Sequence, residues 1–371
     1  MSTNATGIIF SNMHDEEMHE ITNSRTMGAV PYGGRYRLID FALSNMHNSG
    51  VTSVGVVAKS NYQSLLEHLG SGKEWDLSRK RDGLFIFPPF SRLSAGIYKN
   101  KVEAISGILD YIKKSKNDYI FLTDCDILCN LDWRKPLQFH INTQADITLI
   151  CYYNNSHSTM TNQTVYTLSK TSEVTDILLK QSTNEPSHIG TNMWILRKNL
   201  LINLIEDAMA HNYDDLEKDI LQKKLSNYKI VAWKFSGHIR KINNMCDFFY
   251  ANMDILNPNI RNELFFKHGP IYTKVLDAIP ARYEETAKVS NSLIADGCII
   301  AGEVENSILF RGVKIGKGSK ISNSILMKDC TTGENVNLNY VLADKNVTFK
   351  DSRILTGYEL HPIYISKGSY V

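Results

Sequence analysis

The chain has almost no net charge. Lys and Arg number 41 against 39 Asp and Glu, leaving +2 over 371 residues. No broad field therefore draws it to nucleic acid or to a membrane surface. Cysteine is scarce: Cys125, Cys129, Cys151, Cys246, Cys298 and Cys330 are scattered, mostly inside apolar runs. Cys125 and Cys129 have CxxxC spacing, but no second pair follows at zinc-site range. All six read as reduced core residues of a cytoplasmic protein. No run approaches the length of a membrane span. The start, MSTNATGIIF, lacks a basic n-region and holds only a very short apolar run, so no signal peptide is expected.

What is present is enough for real cores. Hydrophobic residues make up 43% of a chain too long for one ordinary compact unit, so two domains are expected. Up to about residue 250, short apolar runs alternate with helical patterns. Gly7-Ile8-Ile9-Phe10, Val51 to Ala58, Tyr119 to Leu122 and Ala145 to Tyr152 read as strands. Helical patterns cover Ile105 to Ile112 and a pair within 200–226. The rhythm predicts a mostly parallel sheet with helices on both faces. Ligands of such sheets bind beyond the carboxyl ends of the strands, where Thr123, Asp124 and Asp126 follow Leu122.

Residues 22–51 form a basic turn that feeds a helix. Pro31-Tyr32-Gly33-Gly34 suits a sharp turn, and Leu38 to Asn48 has an apolar side of Ile39, Phe41, Ala42, Leu43 and Met46. Arg25, Arg35 and Arg37 crowd this turn, either as a planar phosphate fork or as a solvated basic loop.

Pro258, Pro270 and Pro280 fall in a stretch of little periodicity. The division predicted is a first domain over 1–256, a linker over 257–288 and a second domain over 289–371. In that last part Cys298 and Val304, Ile315 and Ile321, then Cys330, Val336 and Leu342 recur every six residues. Asn291-Ser292, Asn306-Ser307, Asn323-Ser324 and Asp351-Ser352 repeat between them. Hexads with small turn residues point to a β-solenoid rather than an ordinary antiparallel β domain. Residues 289–356 contain no histidine, which argues against an acyltransferase β-helix with a histidine base.

The blocks AVPYGGRYRLIDFALSNMHNSGV and GSGKEWDLSRKRDGLFIFPPF closely resemble the bacterial ADP-glucose pyrophosphorylases (glucose-1-phosphate adenylyltransferases). RKINNMCDFFYANM fits the family's RDVGTIDAYWEANM pattern, and GPIYTKVLDAIP and the hexads also fit. The resemblance covers nearly the whole chain. It implies an α/β fold, with a Rossmann-like nucleotidyltransferase domain followed by a left-handed parallel β-helix, and a tetrameric assembly.

Departures from the family pattern bear on function. The family's Gly-rich, arginine-bearing phosphate loop is replaced by Ser11-Asn12-Met13-His14-Asp15-Glu16-Glu17-Met18, with acids beside the arginine position. Of the two aspartates that hold Mg²⁺ in the family, Asp126 keeps the first position, as a vestige, and Lys241 replaces the second. The GTADA motif has become Asn100-Lys101-Val102-Glu103-Ala104. Tyr98 matches a tyrosine of the sugar-phosphate pocket, Lys180 falls at the lysine of EKP without its Glu or Pro, and Gly190 lies in the pocket strand. Arg25 and Arg37 fall on basic positions of the family's regulatory anion site, whose RAKP lysine has become Met27.

These changes resemble the GlgD-type subunits. That resemblance implies a non-catalytic or weakly catalytic regulatory chain in a heterotetramer with a catalytic subunit, with no intact catalytic set and no productively bound metal. A homo-oligomer of the chain alone is also compatible; nucleic acid and membrane are not expected partners. The alternative is an active adenylyltransferase with an atypical phosphate loop, which would use Mg²⁺.

Overall fold

In a computed structural model the described residues are 3–11, 18–89, 98–155 and 160–371. Glu16 and Glu17, with the rest of the segment replacing the phosphate loop from Asn12, lie outside them.

Among the described residues the first unit is built on a nine-stranded sheet. Ala5–Phe10 is flanked on both sides by parallel neighbours, Ser53–Val57 and Tyr119–Asp124, and Gly83–Phe87 extends the parallel run. Ile8 and Phe10 enter one buried cluster while Ile9 enters another. Both faces of this strand are therefore covered, as alternation requires of a strand that reads as continuously apolar. Ser187–Arg197 joins the sheet antiparallel to Tyr119–Asp124, and Met160–Leu168 and Val174–Thr183 continue antiparallel. Ile147–Asn154 pairs with Ser187–Arg197 and, in parallel, with Ile230–Phe235.

The predicted helix forms over Leu38–Asn48, after a hairpin of Pro31–Tyr32 and Tyr36–Arg37. Gly33 and Gly34 have φ of +57° and +88°, which the turn needs and L side chains resist. The Asp40 carboxylate accepts the Arg37 N–H at 2.9 Å, satisfying one amide of the first turn. Ser49 accepts the chain's exit, and Gly50 turns it away at φ +77°. Leu38, Ile39, Phe41, Leu43 and Met46 are fully buried, each worth roughly 1.5–3 kcal/mol of transfer free energy. Phe41 meets Tyr32 edge-on with centroids 5.4 Å apart.

The second unit is the left-handed parallel β-helix expected from the hexads. Its strands stack into three parallel sheets of five, one per side. Cys298, Val304, Ile315, Ile321, Cys330, Val336 and Leu342 are all buried within it or at its face to the first unit. The repeated Asn-Ser pieces make the corners. Asn291, Asn306 and Asn323 take φ between +40° and +46°, a region asparagine tolerates. The serine after each Asn bonds to the next coil: the amides of Ser307, Ser324 and Val341 donate to the hydroxyls of Ser292, Ser307 and Ser324, each at 3.1 Å.

The stretch expected to be linker is more ordered than its prolines suggest. Pro258–Phe266 is a helix with Leu264 and Phe265 buried, and the first β-helix strand, Arg282–Tyr283, already pairs with Ile299–Ile300. Proline at the first helical position costs no hydrogen bond there. The two units share a core. Phe310, Met327 and Leu342 belong to the buried cluster that contains Leu38 and Phe41. All six thiols are free, but Cys246 is only half-buried: it sits on the first turn of helix Met245–Asp254, its thiol donating to the Leu360 carbonyl at 3.4 Å. No helix among the described residues is long and apolar enough to cross a membrane.

Candidate functional site

A cavity of about 540 Å³ opens where the parallel strands end. Phe10 closes Ala5–Phe10, Lys59 and Ser60 follow Ser53–Val57, and Leu122 lies near the end of Tyr119–Asp124. This is the position at which open parallel sheets bind ligands. The size falls within the range of small-molecule sites.

The cavity is rich in lysine: Lys59, Lys99, Lys101, Lys180 and Lys241 all line it. Lys101 opens helix Lys101–Gly107, whose N-cap Asn100 accepts the Glu103 N–H at 2.9 Å. That cap aims the first helical side chain back toward the strand ends. Lys101 Nζ donates to Asp124 Oδ2 at 2.7 Å, and Asn192 Nδ2 donates to the same oxygen at 2.9 Å. Burial lowers the Lys101 pKa, but Asp124, Glu217 and Asp126 outweigh it and raise the group above the usual lysine range. The ammonium also lies 5.4 Å from the Phe10 ring centroid.

Asp126 is buried, one turn beyond Asp124. Lys241 ends strand Ile239–Lys241, which runs antiparallel to Ile127–Cys129 with Lys241 opposite Ile127. The Asp126 carbonyl accepts the Ile242 N–H at 2.9 Å, clamping the two segments together. Lys241 thus lies next to Asp126 along the backbone, and its side chain lines the cavity.

The expected sugar-phosphate residues separate. Lys180 lines the cavity from an irregular point of strand Val174–Thr183, with φ +51° between register shifts at Leu178 and Gln181. Tyr98 is half-buried and donates its hydroxyl to the Ala58 carbonyl; burial raises its pKa. It packs against the core beside the site rather than lining the cavity. Gly190 is a packing position: a Cβ there would lie 2.5 Å from the buried Tyr166 hydroxyl. Its neighbour Asn192 reaches the site instead.

Arg25 and Arg37 lie elsewhere, at the seam between the two units. Arg25 is engaged: its two terminal nitrogens each bond an Asp344 oxygen at 2.9 Å, with both side chains 3% exposed. Arg37 donates to the Ser64 carbonyl, and its pKa is lowered by burial first and further by Arg25. Lys345 completes the cluster. Burial and the charges of Arg25 and Arg37 lower its pKa to about 8. A cationic seam of this kind favours an anion.

Sequence reasoning placed Asp124 at the strand ends but missed its pairing with Lys101 and the roles of Asn192, Asp344 and Lys345. A carboxylate closing a buried strand, with a cation just after a capping asparagine, was a readable cue for Lys101 and Asp124. Asp344 gives no such cue, since its partner is 319 residues away.

Comparison with known proteins agrees with this architecture. Residues 8–257 match the nucleotidyl transferase family, and residues 278–360 match the GlmU-like C-terminal hexapeptide family. The glycogen biosynthesis protein GlgD of Bacillus subtilis (strain 168) is 32% identical over 362 residues, covering 98% of this chain and 95% of the relative. GlgD of Geobacillus stearothermophilus is 34% identical, with 86% and 84% covered, and the glucose-1-phosphate adenylyltransferase of the same species is 32% identical, with 82% and 79% covered. With the sheet, the strand-end cavity and the hexapeptide β-helix in place, the chain belongs to the nucleotidyl transferase family, among the GlgD glycogen biosynthesis proteins and their adenylyltransferase relatives.

Proposed function

We propose that this chain is a non-catalytic or weakly catalytic regulatory subunit of ADP-glucose pyrophosphorylase, which joins ATP and glucose 1-phosphate into ADP-glucose and pyrophosphate for glycogen synthesis. It acts in the cytoplasm, in a heterotetramer with a catalytic subunit. The observation that carries this reading is the lysine at the strand-end carboxylate, Lys101 bonded to Asp124, with Lys241 lining the same cavity. Adenylyl transfer of this class needs positive charge bridging the phosphates of both reactants, which a carboxylate-held divalent ion supplies. Here an ammonium is bonded to the strand-end Asp124 instead, which supports a retained pocket over a working centre.

Regulation requires that the chain favour one state of its catalytic neighbour over another. The cationic seam of Arg37 and Lys345 beside the Arg25–Asp344 pair joins the two units and is suited to report an anion to the assembly. The test is ADP-glucose synthesis by the purified chain alone and after mixing with the catalytic subunit, with the mass of the complex measured in parallel.

The retained cavity, lined by Lys180, supports a second reading, an adenylyltransferase with an atypical loop. It predicts Mg²⁺-dependent ATP binding, and calorimetry showing no binding at millimolar ATP would remove it.

A further inference from the structure

Mg²⁺, which the family chemistry implies, does not fit the residues around the cavity. Asp124 Oδ2 is bonded by an ammonium at 2.7 Å and by the Asn192 carboxamide at 2.9 Å. The Asp126 charge also acts on the Lys101 ammonium, and Lys241 lines the same cavity. A divalent ion here would face two lysines and compete with one of them for its carboxylate.

We propose that Lys101 is a tethered counter-ion that takes the place of a divalent metal, so that the cavity binds a phosphate ester without Mg²⁺. This rests on the regulatory reading above and adds to it what the pocket binds and how. Lys101 is placed for the role by geometry. It lines the cavity with its side chain 19% exposed, and its ammonium has three donors, one of which goes to Asp124. In this proposal a phosphate oxygen entering from the cavity takes one of the remaining donors.

Lys59, Lys99 and Lys180 supply further positive charge around the cavity, Asp214, Asp215 and Glu217 line it as well, and Asn162, Thr164 and Asn243 offer neutral polar groups for hydroxyls of a sugar. A metal ion bridging carboxylate and phosphate must be recruited from solution. An ammonium on the helix start is always present. The exchange keeps ground-state recognition of a phosphate ester while giving up the doubly charged Lewis acid that a transferring phosphoryl group requires. Binding without turnover is the expected behaviour of such a site.

The experiment is a calorimetric titration of the full chain with glucose 1-phosphate, in EDTA and in excess Mg²⁺. The proposal expects dissociation constants that agree within about twofold between the two buffers, because no metal enters the site. Lys101→Met is expected to weaken binding by roughly tenfold or more through loss of a charge-assisted bond, whereas Lys101→Arg keeps it within a few fold. Unfolding midpoints of both variants show whether each is folded.

Binding that requires Mg²⁺ would overturn the proposal, as would absence of binding in both buffers or a folded Lys101→Met protein that binds normally. If Lys101→Met does not fold, the wild-type comparison of the two buffers and the Lys101→Arg titration decide. Failure of the chain to alter a catalytic partner, with metal-free binding intact, would refute the regulatory reading and leave this inference standing.

Discussion

Arg25 and Asp344 form a buried two-pronged ion pair across the seam of the molecule, both N–O distances being 2.9 Å. One comes from the turn that precedes the first long helix, the other from the β-helix. The pair also meets Tyr364, whose hydroxyl lies 3.4 Å from Asp344 Oδ2 and donates to the Glu20 carbonyl at 2.8 Å. Arg25→Ala would leave a buried carboxylate uncompensated, at a cost of about 3–5 kcal/mol. We expect a clear fall in the urea midpoint for Arg25→Ala or Asp344→Ala. The double variant Arg25→Met/Asp344→Leu should recover much of it, because no lone charge remains.

Lys345 predicts how that seam responds to pH and anions. Its folded pKa of about 8 lies below the ordinary lysine value, so the folded chain releases this proton before the unfolded chain does. Stability therefore gains from this group as pH rises from about 8 toward 10.5 and lacks that gain below 8. Lys345→Met should remove this increment and raise the midpoint at pH 7, since it deletes a cation pressed against Arg25 and Arg37. Inorganic phosphate should raise the wild-type midpoint at pH 7 by pairing with the seam, and much less so in Lys345→Met, as read by thermal unfolding.

His140 gives a second pH signature with the opposite span. Burial first, and Arg197 next, depress its pKa to about 4, and its Nδ1 shares a hydrogen bond of 2.8 Å with the Thr148 hydroxyl. The imidazole folds neutral, so the unfolded chain takes up a proton that the folded chain refuses between pH 6.5 and about 4. Stability should fall with acid through that window by up to about 1.4 kcal/mol per pH unit. His140→Gln should flatten the slope of the urea midpoint against pH there.

Much of the fold was legible because its signals are local. Phe10, Phe121 and Leu122 sit in apolar runs that can be only buried strands, and Leu38 to Asn48 carries its own period, cap and stop. The hexads and the Asn-Ser corners are short-range too, and they placed the β-helix core residue by residue. The antiparallel flank from Met160 to Thr183 was not legible. Its strands are polar and irregular, and they are held by register with Ser187–Arg197 rather than by their own pattern. The site divided in the same way. Asp126 and Lys241 were singled out from motif positions alone, whereas the bond from Lys101 to Asp124 depends on a helix start and a strand end meeting in space.

Gly190 tests that distinction between packing and binding. Its missing side chain makes room for Tyr166, whose hydroxyl and ring would lie within 2.5–3.1 Å of a Cβ. Gly190→Ala is expected to lower stability by about 1–3 kcal/mol through overpacking. Tyr166→Phe should relieve only part of the loss, since ring carbons also clash. A binding role for Gly190 would instead show as weakened ligand affinity at unchanged stability.

The most direct measurement is ADP-glucose formation by the purified chain, alone and then mixed with the catalytic subunit at matched total activity. The account predicts no robust turnover alone in saturating ATP, glucose 1-phosphate and Mg²⁺. In the mixture it predicts a heteromeric complex whose rate or effector response differs from that of the catalytic subunit by itself. Robust turnover by the chain alone, or a mixture whose kinetics and mass match the catalytic subunit unaccompanied, would contradict it.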